Sequence, residues 1–82
     1  MYSLQGETTM TDAEIGKIKA IKAKYKAGST VSLISMQDAQ GPKPGTLGKV
    51  SFVDDVGTVH VDWENGSSLG VIIGIDSIAL LS

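Results

Sequence analysis

The chain has 82 residues, 41% of them apolar and 20% charged, with a formal net charge of −2 and no cysteine. That length holds one domain rather than two, and the composition excludes a disordered chain. Without cysteine there are no disulfides, no thiol nucleophile and no thiolate metal site.

Charge is unevenly distributed. Lys17, Lys19, Lys22, Lys24 and Lys26 have no acid among them, whereas from Gly28 onward Lys43 and Lys49 face Asp38, Asp54, Asp55, Asp62, Glu64 and Asp76. There is no arginine, the residue best suited to bidentate contact with phosphate and guanine, which counts against sequence-specific reading of nucleic acid. The longest apolar run, Leu69 to Ile75, contains two glycines and is far too short to cross a bilayer.

Residues 1–10 are polar and read as a flexible tail, with Met10 an alternative start to Met1. They lack the basic start and apolar centre of a secretory leader, so a cytoplasmic location is expected. Residues 11–27 read as an amphipathic helix. Thr11 and Glu14 form a capping box, Asp12 and Glu14 suit the positive end of the helix dipole, and Gly28 supplies a left-handed stop. Ile15, Ile18, Ile21 and Tyr25 recur at helical spacing as one apolar stripe. Gly16, Ala20, Ala23 and Ala27 make a face of small residues on the other side.

From Ser29 the apolar period becomes two. Val31, Leu33 and Ser35 alternate with Ser32, Ile34 and Met36 in a first strand, and Gln37 to Gly45 form a loop around Pro42-Lys43-Pro44-Gly45. A second strand spans Thr46 to Val53, followed by an Asp54-Asp55 turn and a third strand from Gly57 to Trp63. Val59, Val61 and Trp63 share one face of it, and Thr58, His60 and Asp62 the other. Asn65-Gly66 signals a two-residue type I′ hairpin turn, leading to a fourth strand, Ser67 to Ile73, and a short fifth, Ile78 to Leu81. Five short strands with tight turns over residues 28–82 predict a closed or nearly closed barrel, with the helix over an open end or edge. The expected core is Val50, Phe52, Val59, Val61, Trp63, Leu69 and Ile72, with Ile18, Ile21 and Tyr25 docking from the helix.

The segments Y-K-A-G-S-T-V-S-L-I-S-M-Q-D, P-K-P-G-T-L-G-K-V-S-F-V-D-D-V-G-T-V-H-V-D-W-E-N-G-S-S-L and I-D-S-I resemble the small bacterial proteins of domain-of-unknown-function family 4314, from about Ile15 to Ile78. This chain departs from the family pattern at Glu64, where the family has aspartate, and at Lys49, where it has a second glycine. The resemblance implies an SH3-like barrel, hence a mainly β domain preceded by one helix. It also implies membership in gene sets of phages and conjugative elements, and it implies no activity. A weaker similarity links G-K-V…V-D-W-E-N-G-S to peptide-recognising barrel modules of some eukaryotic ubiquitin ligases.

Candidate chemistry is sparse. Asp54, Asp55, His60, Asp62 and Glu64 have ligand-type side chains, and His60 and Asp62 point the same way on one strand. A metal site needs three or four convergent donors, so turn geometry and a solvated sheet explain these residues better. His60 is the sole histidine and no nucleophile elbow accompanies it, so no catalysis, metal or cofactor is expected. Gly41, Gly45 and Gly48 lack the Gly-Lys-Ser/Thr ending of a phosphate loop.

What is left is recognition. Asp38, Asp54, Asp55 and Glu64 on loops, with Trp63 and Asn65, form the candidate binding rim for an extended or basic peptide. Trp63 reads either as a core residue or as a contact aromatic. The alternative is contact between a nucleic-acid backbone and Lys17, Lys19, Lys22, Lys24 and Lys26, set against a solvated helix flank. The Gly16/Ala20/Ala23/Ala27 face is either exposed helix formers or a close-approach surface for a homodimer.

Overall fold

The computed structural model describes residues 10–82, so the tail read for residues 1–10 lies outside the described residues except for Met10. One helix, α1 (Asp12–Lys24), precedes five strands: β1 (Thr30–Ser35), β2 (Leu47–Val53), β3 (Thr58–Trp63), β4 (Gly70–Ile72) and β5 (Ser77–Leu80).

α1 begins as its sequence dictates. The Thr11 hydroxyl accepts from the Glu14 N–H (3.2 Å), and the Glu14 carboxylate accepts from the Thr11 N–H (2.9 Å). The Thr11 hydroxyl also donates to Glu14 Oε1 (3.1 Å), and the two Thr11 donors together hold the Glu14 carboxyl below its usual range, the backbone N–H contributing most. The helix ends at Lys24 rather than Ala27, because Tyr25 leaves helical geometry to bury its ring in the core while its N–H still bonds the Ile21 carbonyl. Gly28 does adopt positive φ, but in the turn beyond, where its N–H bonds the Val50 carbonyl. Burial along the predicted apolar stripe falls from Tyr25 through Ile21 and Ile18 to an exposed Ile15. The helix therefore leans on the sheet from Ile18 onward, most closely at its C-terminal end.

The strands form one antiparallel sheet in the order β4-β3-β2-β1-β5. The two edge strands are consecutive in sequence, and the Asp76 N–H bonds the Ile72 carbonyl (2.8 Å) across the turn between them. The sheet therefore curls until its edges meet at this turn. A single bridge, Ile73 to Asp76, joins them there, with no ladder between β4 and β5.

The turns on either side of β3 share a form. The Gly57 N–H bonds the Asp54 carbonyl and the Gly66 N–H bonds the Trp63 carbonyl, with positive φ at each glycine. The Asp54 N–H also bonds the Thr58 carbonyl and the Trp63 N–H the Ser67 carbonyl, so each is a three-residue loop ending in a left-handed glycine, where a side chain would be strained. The Asn65-Gly66 pair thus serves a longer turn than the predicted two-residue one.

The core is Tyr25, Val31, Leu33, Val50, Val59, Val61, Trp63, Val71 and Ile78. Two expected core residues are exposed instead. Phe52 is 53% exposed because the register shifts between Val50 and Phe52, so that Val50 opposes Val61 while Phe52 opposes His60. Two residues of β2 thus advance against one of β3, a β-bulge that turns Phe52 outward and lets Val53 pack on the core. Ile72 is 49% exposed because β4 turns Val71 inward instead. Leu69 and Ile18 are only partly buried.

Candidate interaction surface

The outward face of β2, β3 and β4 carries a row of three paired residues: Phe52 opposes His60, and His60 opposes Gly70. The Phe52 and His60 rings are stacked, with centroids 4.3 Å apart and planes 9° from parallel. Gly70 must lack a side chain, since a Cβ there would lie 2.7 Å from Thr58 Cγ2. The row therefore steps down from two rings to bare backbone.

Carboxylates border this row. Asp54 Oδ1 accepts from the Val56 and Thr58 N–H groups (3.1 and 2.9 Å), and its Oδ2 lies 2.9 Å from His60 Nε2. The His60 bond, then those to the backbone, hold the Asp54 carboxyl below its usual range. Asp62 follows His60 on the same face and accepts from the Ser51 hydroxyl (2.9 Å) through Oδ2.

Next to Gly70 the surface falls into a pocket of ≈ 240 Å³. Asp76 forms part of its wall. This carboxylate is 7% exposed and accepts from the Gln37 N–H through Oδ1 (3.0 Å) and the Ile72 N–H through Oδ2 (3.1 Å). It thereby ties the long β1–β2 connection to β4. Asp38 lines the same pocket, with Oδ1 accepting from the Gln40 N–H (2.8 Å).

The residues expected to form one rim fall into separate places. Asp54 and Asp55 precede β3, whereas Trp63, Glu64 and Asn65 follow its inner-facing run, at the opposite end of the strand. Six residues at ~3.3 Å each put the two turns roughly 20 Å apart. Asp38 belongs to the connection at the Glu64 end, since β1 and β2 are antiparallel. Trp63 is 4% exposed, its indole N–H donating to the Leu69 carbonyl (3.1 Å). It supports the surface from within. Asn65 Oδ1 accepts from the Ser67 N–H.

The lysines do not make one stripe. At 3.6 residues per turn, Lys17 and Lys24 fall on one side of α1 and Lys19 and Lys22 on another, with Lys26 beyond its end. Lys22 Nζ is paired with Asp55 Oδ1 at 3.0 Å, and Lys24 Nζ lies 5.2 Å from the Tyr25 ring centre. Gly16, Ala20, Ala23 and Ala27 are exposed. Between α1 and the β3–β4 end lies a second hollow of ≈ 320 Å³, lined by Ile18, Ile21, Val56 and Ile73 among others. Ile18 and Ile21 rest here on Gly57, where a Cβ would be 3.3 Å from Ile18 Cγ1. Among the described residues no three His, Asp or Glu side chains converge as metal ligands. None of the helices among them is long and apolar enough to cross a membrane.

Phe52 and Asp76 were missed as surface and pocket residues. A lone acid in the apolar run Ile73-Gly74-Ile75-Asp76-Ser77-Ile78 was the available signal for Asp76. No comparable signal marks the bulge that exposes Phe52.

One capped helix leaning on a curled five-stranded antiparallel sheet, with its aromatic pair outside, defines a small mainly β domain. The chain matches the model of the family described as a domain of unknown function, DUF4314, over residues 14–81, and it belongs to that family. No match is found among curated proteins or among solved structures.

Proposed function

We propose that this domain is a non-catalytic interaction module that takes a basic, extended segment of a partner protein across the outward face of β2, β3 and β4. The observation that carries the reading is Phe52, the only phenylalanine, held outside the core by a bulge and stacked on His60. Single exposed apolar groups such as Ile34 and Val56 are ordinary on a small domain; Phe52 is set apart by its ring and its stacking on His60, since aromatic residues are enriched where proteins meet.

Charge supports the basic character of the partner. Asp54 and Asp62 border the rings, Asp38 and Asp76 lie past Gly70, and only Lys43 and Lys49 offset six acids from Gly28 onward. Complementary potential steers encounter and fixes register more than it adds affinity. His60 is engaged by Asp54 and by the Phe52 ring, an arrangement suited to a rigid platform. The family resemblance adds an accessory role for a phage or conjugative element, within the bacterial cytoplasm, which the identity of neighbouring genes tests directly.

The surface is tested by amide chemical shifts of the full chain, titrated with a decapeptide of alternating lysine and serine. Shifts at Ser51, Phe52, His60 and Gly70 are expected, lost in Phe52→Ala and in Asp62→Lys and absent with the glutamate counterpart. A titration that moves none of these amides removes the proposal.

A further inference from the structure

The pocket beside β4 combines apolar walls with two carboxylates. Its walls include the apolar side chains of Met36, Leu69, Ile72 and Ile75, and its polar groups include the carboxylates of Asp38 and Asp76. At ≈ 240 Å³ it falls below the roughly 300–1,000 Å³ of small-molecule sites, and suits one long side chain. Among the described residues neither carboxylate is paired with a cation.

We infer that this pocket receives a lysine side chain from the partner segment. The inference rests on the interaction reading above. Lysine has the matching chemistry: a four-carbon stem that lies along apolar walls and a compact ammonium with three rotatable donors. Arginine fits less well. Each oxygen of Asp76 already accepts one backbone N–H, from Gln37 and from Ile72. A guanidinium fork needs two acceptors open along one edge, whereas an ammonium needs only the lone pairs that are left. Asp38 Oδ1 is likewise engaged by the Gln40 N–H, and its second oxygen takes no hydrogen bond from the described residues.

Continuity with the platform gives the lysine its path. Gly70 opposes His60 across the β3–β4 ladder and also lines the pocket. A segment lying on Phe52 and His60 passes over bare backbone at Gly70 and drops its next side chain beside Asp76. The lining residue Ile72 is half exposed at that edge.

The experiment uses the full chain and three arginine-serine decapeptides that differ only at one central position: lysine, Nε-acetyl-lysine or arginine. Amide shifts report the place and fluorescence anisotropy the affinity. The lysine peptide is expected to move Gln37, Asp38, Ile72 and Asp76 as well as Phe52 and Gly70, and to bind about fivefold tighter than the other two. Asp38→Asn, at an exposed position, is expected to erase that preference without unfolding the domain. Equal affinities, with shifts at Phe52 and Gly70 but none at Gln37 or Ile72, overturn the lysine pocket and leave the interaction surface standing. No shift with any peptide overturns both.

Discussion

Gly48 faces Trp63 across the β2–β3 ladder, and the space a side chain would need at position 48 is filled by the indole. A Cβ on Gly48 would lie 2.7 Å from Trp63 Cε3 and 2.5 Å from Val61 Cγ1. Both neighbours are buried, so neither has room to retreat. Gly48→Ala is therefore expected to lower stability by about 1–3 kcal/mol, the usual cost of overpacking. Urea unfolding followed by tryptophan fluorescence measures it, and an unchanged midpoint would contradict this packing.

The same two strands carry opposite predictions for their two rings. Trp63→Ala empties a buried site and is expected to cost about 3–5 kcal/mol, a large share of a small domain's total. Phe52→Ala removes only an exposed ring and its stacking on His60, worth under about 1.5 kcal/mol. Comparing the two denaturation curves separates a core aromatic from a surface one.

How far the chain could be read in advance follows from how local each cause is. The Thr11–Glu14 cap and the inward run Val59, Val61, Trp63 were legible, because a capping box spans four residues and an unbroken strand keeps period two. Phe52 was not, because nothing in Val50-Ser51-Phe52 announces an extra residue relative to β3. In Val71-Ile72-Ile73 composition cannot set the phase, and it is the pairing of Val71 with Val59 that turns Val71 inward. Asp76 finds Gln37 from 39 residues away, beyond any local pattern. The split between Asp54-Asp55 and Glu64-Asn65, by contrast, follows from the length of β3 alone.

Asp76 closes the β1–β2 connection onto β4 with two backbone bonds. Asp76→Ala leaves the Gln37 and Ile72 N–H groups without their acceptor, at about 1–3 kcal/mol for each donor left dry. Hydrogen exchange should accelerate at Gln37 and Ile72 before it does at the β2–β3 amides. Uniform acceleration over the whole sheet would show that Asp76 is not a local clamp.

Acid sensitivity has a defined direction. Asp54 and Glu14 both titrate below the ordinary range of their carboxyl groups in the folded chain, Asp54 through His60 and the Thr58 and Val56 N–H groups, Glu14 through the N–H and hydroxyl of Thr11. A depressed folded value means that the unfolded chain takes up protons first. The stabilisation is complete above the unfolded value and is lost as pH falls through the folded one. Asp54→Asn should thus be less stable than the parent at pH 7, with the two curves converging below about pH 4. Curves that stay parallel to low pH would remove Asp54 from the account.

Lys22 and Asp55 join α1 to the turn before β3 by one exposed ion pair. Lys22→Ala is expected to cost no more than about 1 kcal/mol, and less at high salt. Its clearer mark should be faster exchange of α1 amides while β1, β2 and β3 keep theirs.

The extra residue in β2 works as a parity switch. Because side chains alternate sides with every step, unbroken pairing of β2 with β3 would set Ser51 against His60 and Phe52 against Val59, on the inward side. The bulge absorbs Ser51 instead, so the aromatic stands beside His60 and Val53 takes the indoor place. What this domain displays to the outside world is thus decided by register: with the same letters in the same order, an unbroken ladder would build a fuller interior with no aromatic handle to grasp.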